Sequence, residues 1–481
     1  MTNVLDTLIV GAGISGLSLA HALRRKPNGT SPPEVMVTES QNRVGGNITT
    51  GSQGEFLWEE GPNSFAPTPE LLELAVDVGL KEELIFADRK LPRYVYWNHQ
   101  LHPVPMSPPA LLSSQLLSPT GKLRALVGAL GFVPPPVGSH FSRQGGEETV
   151  TQFFDRHLGS EVRQRLVQPF VSGVYAGDPD RLAARSAFAR VVNMEARGGG
   201  LLAGALLSRG KQKRSAPDPR IPKTRPGELG SFRDGLQVLP ETLATQLGDR
   251  VRLNWTLDRF YPTENQTYIA EFSTPEGDRQ LEARTLALMT PAHVNARLLK
   301  PLQSQMAGAL MEIPYPPVAC VVLAYPKSAL KGDLRGFGNL IPRNQGIRTL
   351  GTIWTSSLFP NRAPEGWQVL SNYIGGATDP EIGDMDEEKI VAAVHRDLRQ
   401  IFLAEDVSPK VLAVHLWRRA IPQYTLGHQD RLDRIEAGLR SLPGLYLCSN
   451  YIDGVAVGDC VRRSREWADR IHSQLQDVGQ N

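Results

Sequence analysis

The sequence predicts an α/β fold in which one parallel-sheet domain is interrupted twice, by a helical insertion and by a mixed-sheet insertion. Three observations carry this. A strand–turn–helix–strand pattern occupies Leu8 to Glu39. Patterns of the same kind return near Val251 and again near Leu445. Between them lie a proline-broken stretch of helical character and a stretch of strand-like runs.

The first pattern opens with Leu8-Ile9-Val10, a short apolar run of buried-strand type. Gly11-Ala12-Gly13-Ile14-Ser15-Gly16 follows, and Ile14, Leu17, Ala20 and Leu23 then recur as one face of a helix. Val35-Met36-Val37 reads as a second strand ending at Glu39. An acid about 20 residues beyond G-x-G-x-x-G completes a Rossmann-like dinucleotide fingerprint. Gly11 permits the tight turn, Gly13 leaves room for a pyrophosphate, and Gly16 lets helix approach strand. The helix N-terminus offers unpaired N–H groups and partial positive charge to the phosphates. Glu39 can accept two hydrogen bonds from a ribose diol and would repel a 2′-phosphate, which argues against NADP. Glu39-Ser40-Gln41-Asn42-Arg43-Val44-Gly45-Gly46 resembles the E-x-x-x-R-x-G-G extension of the amine-oxidase-like flavoprotein superfamily. That resemblance implies FAD, with Arg43 neutralising pyrophosphate charge and Gly45-Gly46 letting backbone approach closely.

The remaining elements divide the chain as follows. Residues 1–89, 228–300 and 404–481 are expected to form the FAD-binding domain, 90–205 a helical domain facing substrate and membrane, 206–227 a basic loop, and 301–403 a substrate-binding sheet domain. Leu229 to Leu236 leads into an amphipathic helix, and Val251 to Trp255 alternates as a strand. In the superfamily the backbone at the Val251 position meets the adenine; this chain carries Asp234-Gly235 where many members have Gly-Gly. Leu445 to Cys448 is a strand, Asn450 to Gly458 a Gly-rich turn, and a helix follows from about Cys460. By the same resemblance Val455-Ala456-Val457 lies under the flavin. The basic stretch Ser208 to Arg225 reads as a surface loop, with contact to anionic lipid as the sharper alternative.

Composition narrows the function class. A net charge of +2 on 481 residues gives no reason to expect nucleic acid. The three scattered cysteines lack metal or disulfide spacing and fit a reducing compartment. No apolar run approaches the roughly 18–20 residues a membrane-spanning helix needs. The chain does not look secreted, so Asn28-Gly29-Thr30 is a chance glycosylation triplet. No H-E-x-x-H or G-x-S-x-G occurs, and the ten histidines are dispersed. No metal site and no catalytic side chain are assigned: a flavin accepts the hydride itself, and the protein supplies position and environment.

Longer motifs narrow the resemblance. Val44 to Thr50, Trp58-Glu59-Glu60-Gly61-Pro62-Asn63-Ser64-Phe65, Ser172 to Pro179, Ser357 to Pro364, Asn372 to Gly376 and Ala420 to Tyr424 together resemble the oxygen-dependent protoporphyrinogen oxidases of plastid and cyanobacterial type. The likeness runs nearly end to end and implies oxidation of a porphyrinogen with O2 as acceptor. It implies Arg93 as the propionate anchor, and an arginine fork suits a carboxylate. Leu340 and Ile353 match apolar positions around the pyrroles, and Tyr373 matches an aromatic position stacking on a ring. Gly173 and Gly177 match a helix break lining the pocket, with Ala176 where some relatives have glycine. Asn47, Gly61, Pro62, Asn63 and Ser64 match the flavin side, and Trp417 the flavin edge. From periodicity alone the apolar positions would be core. The implied partners to test are a peripheral membrane surface, a homodimer, and hand-over to a ferrochelatase or magnesium chelatase. The expected location is intracellular, cytoplasmic or membrane-peripheral, and a start at Met1 without a transit peptide suits a bacterial source. Competing readings are a coproporphyrinogen III oxidase, an amine oxidase or carotenoid desaturase, and a flavin-free interaction protein.

Overall fold

The computed structural model describes residues 4–25, 32–134, 146–198, 200–209, 218–225 and 227–478. The triplet at 28–30 lies outside them, as do residues 210–217 and 226 of the basic loop.

The first sheet has seven strands. Leu5–Val10 runs at its centre, parallel to Val35–Thr38 on one side and Arg279–Leu288 on the other. Val251–Arg252 pairs outside Val35–Thr38, and Leu445–Leu447 pairs with Arg279–Leu288. Both faces are covered, which is why Leu8 and Ile9 read as a continuous apolar run and are fully buried. The helices Ile14–Arg24, Val238–Leu247 and Val457–Val478 pack on one face through Leu17, Leu243 and Ile471. The helices Ala292–Leu299 and Ser304–Met311 pack on the other.

The second sheet also has seven strands, in the order Lys410–Trp417, Val318–Pro326, Trp367–Gly375, Thr349–Ile353, Gly338–Leu340, Arg93–Trp97, Gln100–Pro103. Side chains alternate between its faces. One face carries Val321, Leu323 and Ile374 against Ile390, Val394 and Leu398 of the helix Glu387–Ile401. Asp386 caps that helix by accepting a hydrogen bond from the Lys389 N–H. The other face turns towards the first sheet and is crossed by the hairpin Thr50–Gln53/Phe56–Glu59.

This order corrects two expected boundaries. Residues 93–103 form a hairpin of the second sheet, so the helical segment begins after Pro103 and not at residue 90. Lys410–Trp417 likewise belongs to the second sheet, although it falls in the segment expected for the first. An alternating strand fits either sheet, and only its long-range partner, here Val318–Pro326, decides. The helical insertion contains Pro119–Ala129, Val150–Leu158, Gln168–Tyr175 and Ala189–Gly198, tied by a buried Arg156 that ion-pairs with Glu148 and Glu195.

Candidate functional site

At the C-terminal end of Leu5–Val10 the chain turns at Gly11, whose φ of 108° excludes ordinary side chains. The helix Ile14–Arg24 starts at Gly13 with no side-chain cap, so its first N–H groups are left for another acceptor. A Cβ on Gly13 would meet nothing nearer than the Gly46 Cα at 4.0 Å, whereas one on Gly16 would lie 2.0 Å from the Gly11 carbonyl oxygen. The space beside Gly13 is therefore open, and that beside Gly16 is filled by backbone. The Gly45 N–H donates to the Ala12 carbonyl at 2.9 Å, locking the second Gly-rich loop against the first.

The Glu39 carboxylate accepts from the Ala12 N–H at 2.9 Å, from the Gln41 N–H at 2.9 Å and from the Ser40 hydroxyl at 3.3 Å. Val251 pairs with Val37, two residues before it. Arg43, expected at the phosphates, also holds the loop together. Its guanidinium donates to the carbonyls of Val44, Gly46 and Ile48, so it shapes the loop from inside.

The strip Glu60–Ser64 continues from this loop. Asn47 is exposed, but its carbonyl sits where a Cβ on Gly61 would fall, at 1.9 Å. Asn63 is buried, and neither its amide nitrogen nor its amide oxygen has a partner. A buried amide left open on both ends calls for a ligand that both donates and accepts there. Val455 and Val457 are half-buried and Ala456 exposed, at the N-terminus of the helix Val457–Val478.

The second sheet presents its remaining face to this strip. Register places Trp417, Val318, Cys320, Tyr373, Gly351, Ile353, Leu340, Gly338 and Arg93 on that one face. Trp417 donates from its indole to the Glu60 carbonyl at 2.8 Å, and Tyr373 from its hydroxyl to the Gly61 carbonyl at 3.3 Å. Burial pushes the Tyr373 phenol well above its usual range, so it stays a donor. Leu340 packs against Gly173, where a Cβ would come within 2.3 Å of it. Gly177 is pressed against the Gln423 side chain. Ala176 between them adopts φ 51°, the left-handed conformation that glycine would take freely; it costs an alanine about 1–2 kcal/mol.

Arg93 stands at the far end of the face, half-buried, with its guanidinium 5.2 Å from the Phe337 ring centroid and one bond of 3.3 Å to the Gly227 carbonyl. It forms no ion pair among the described residues, and burial lowers its pKa. Ile353 and Phe337 pack together beside it.

Residues 14–472 match the flavin containing amine oxidoreductases. The chain belongs to that family. Its cofactor is FAD, and the open Gly13 space, the uncapped helix start and the unpartnered Asn63 fit such a group. Within the family, the chain is 45% identical over 484 residues to a chloroplastic protoporphyrinogen oxidase of Oryza sativa subsp. japonica, covering 98% of this chain and 88% of that one. It is 44% identical to protoporphyrinogen oxidase 1 of Arabidopsis thaliana, covering 97% and 88%. A coproporphyrinogen III oxidase of Bacillus subtilis is 28% identical over 95% and 96%. The solved cyclohexylamine oxidase of Brevibacterium oxydans shares the fold, with a TM-score of 0.68 at 20% identity over 98% and 100%.

Several residues of the site escaped sequence reading. Glu60 hydrogen-bonds with the His415 ring at 3.2 Å and accepts from the Trp58 indole at 3.2 Å, which holds its carboxyl below the usual range, the His415 contact leading. Glu59 and Arg362 are both buried. The one available signal was the acid pair Glu59-Glu60 closing the apolar strand Phe56-Leu57-Trp58. Arg362 lies within the motif Ser357 to Pro364, but nothing local marked its role, because its partners are more than a hundred residues away.

Proposed function

We propose that the protein oxidises protoporphyrinogen IX to protoporphyrin IX. Six electrons leave in three two-electron steps, O2 is the acceptor, and H2O2 is released. The observation that carries this reading is Arg93, a half-buried cation without a carboxylate partner among the described residues, at one end of an apolar face that reaches the Glu60–Asn63 strip at the other. The names of the plant relatives support it.

FAD supplies the hydride acceptor. Gly11, Gly13, Gly16, Glu39 and the Gly45-Gly46 loop would hold its nucleotide half, and Asn63, Trp417 and the Val455–Val457 turn its ring end. Arg93 would bind one propionate, while Leu340, Ile353, Gly173 and Tyr373 exclude water and keep the macrocycle against the ring. Losing a charged hydrogen bond to carboxylate costs about 1.5–3 kcal/mol, so Arg93→Ala should raise KM roughly 10- to 150-fold with FAD still bound. An unchanged KM removes Arg93 from this role. Turnover of two-carboxylate against four-carboxylate porphyrinogen, side by side, separates this reading from coproporphyrinogen oxidation.

The helical insertion supports a peripheral membrane contact. Leu123, Leu126, Val127 and Leu130 lie on one stripe of the helix Pro119–Ala129 and its end, and Leu123, Leu130 and Phe132 are 62%, 55% and 74% exposed. Leu112 and Leu207 are exposed too. No helix among the described residues is long and apolar enough to cross a membrane, so the contact would be interfacial. Each buried leucine contributes roughly 1.5–3 kcal/mol, so replacing Leu123 and Leu130 by Glu should lower co-sedimentation with phospholipid vesicles at least tenfold. Equal sedimentation of the variant rules out this face.

A further inference from the structure

Glu59 is the last residue of the strand Phe56–Glu59 and is 1% exposed. Its carboxylate accepts the Thr50 hydroxyl at 2.6 Å and the Leu236 N–H at 2.8 Å. It has no ion pair among the described residues. Arg362, whose charge acts on it, is spent elsewhere: it donates to the Arg233 carbonyl, the Phe232 carbonyl and the Ser231 hydroxyl. Two neutral hydrogen bonds do not replace water around a buried carboxylate.

The position of Glu59 gives this a use. Its own carbonyl accepts the Cys320 thiol at 3.7 Å, and the next two carbonyls, of Glu60 and Gly61, receive Trp417 and Tyr373. Two residues further on stands the unpartnered Asn63. Glu59 is thus rooted directly behind the strip that meets the expected ring end of FAD.

We propose that Glu59 is a positioning residue that exchanges one proton with solvent in step with the charge of the bound flavin. Hydride transfer brings two electrons and one proton to the cofactor, a net gain of one negative charge. A proton from solvent then bonds to a Glu59 carboxylate oxygen, and the O–H bond breaks again when O2 removes the electrons. The charge change is offset without any group in contact with substrate. Burial, as the leading cause, already pushes the Glu59 carboxyl up to about 7, against the opposing hydrogen bonds of Thr50 and Leu236 and the charge of Arg362. A small added negative potential suffices to protonate it. The other groups facing it are Glu60, itself paired with His415, the Cys320 thiol, raised to about 12, and the Tyr373 phenol; Asp234 faces Arg362. The Glu60 carboxyl, held below its usual range, and the raised Cys320 thiol and Tyr373 phenol do not change protonation near neutrality ahead of Glu59.

The inference rests on FAD and not on the substrate assigned above, so the test uses no porphyrinogen. The holoenzyme is reduced photochemically and its midpoint potential followed from pH 5.5 to 8.5, on the order of the range that brackets a shifted carboxyl. The wild type should show an inflection near neutrality that Glu59→Gln, with FAD retained, lacks; superimposable curves overturn the proposal. A reduced-minus-oxidised infrared spectrum of the wild type serves if the variant loses FAD. A protonated-carboxyl C=O band that grows on reduction and shifts in D2O supports the proposal, and its absence overturns it.

Discussion

Gly13→Leu yields a colourless protein that is still folded. The glycine's Cβ direction points into open space, with the Gly46 Cα at 4.0 Å as the first atom, so a leucine there strains little in the free chain. It fills the volume between the uncapped helix start and the Gly45-Gly46 loop, where the pyrophosphate is proposed to lie. The expected loss of FAD affinity is about 3 kcal/mol or more, roughly 150-fold, from overpacking alone. Gly16→Val supplies the contrast. Its Cβ would stand 2.0 Å from a backbone oxygen that cannot move without unpairing the central strand, so the apo fold itself should melt earlier. Flavin absorbance and thermal unfolding by circular dichroism, measured on both variants, separate the two effects. A yellow Gly13→Leu protein would refute the cradle.

Arg362→Leu should be the most destabilising single change among the buried polar residues. The guanidinium binds three acceptors on residues 231–233 and lies 5.6 Å from the Phe359 ring centroid, joining the loop after the helix Thr355–Leu358 to the chain returning to the first sheet. Removing it strands those acceptors and takes a counter-charge away from Glu59. Breaking such a buried polar set typically costs about 3–5 kcal/mol. Arg362→Lys should recover only part, because one ammonium cannot span a fork's three acceptors. Urea unfolding monitored by fluorescence is the measurement, and midpoints within error of wild type would contradict this account.

What the sequence made legible follows from range. Gly11 to Gly16, Glu39 and the Gly45-Gly46 loop assemble from neighbours less than forty residues apart, so spacing alone carried them. Arg93 and Tyr373 were visible only through family likeness, since nothing local says that strands around residues 95, 340, 351 and 373 lie side by side. The fate of Lys410–Trp417 was hidden for the same reason. The loop contacts of Arg43 were not legible, because only the folded turn brings the carbonyls of Val44, Gly46 and Ile48 to its guanidinium. Ala176 shows a further limit: a left-handed residue forced by tertiary contact, with its carbonyl held by the Ala377 N–H, leaves no mark in the local sequence.

The face running from Tyr373 to Arg93 also fixes a length. Three inter-strand steps separate them, Tyr373 to Gly351, Gly351 to Leu340 and Gly338 to Arg93; at about 4.8 Å each these sum to roughly 14 Å across the strands, with the offset from Leu340 to Gly338 added along them. That reach is set by main-chain hydrogen bonds, which no side-chain substitution in the pocket alters. Changes at Leu340 or Ile353 would therefore tighten or loosen a guest, whereas the span from Tyr373 to Arg93 is dictated by the count and register of the strands. Selectivity for guest dimension and selectivity for guest shape become separable properties, written in backbone and side chain respectively.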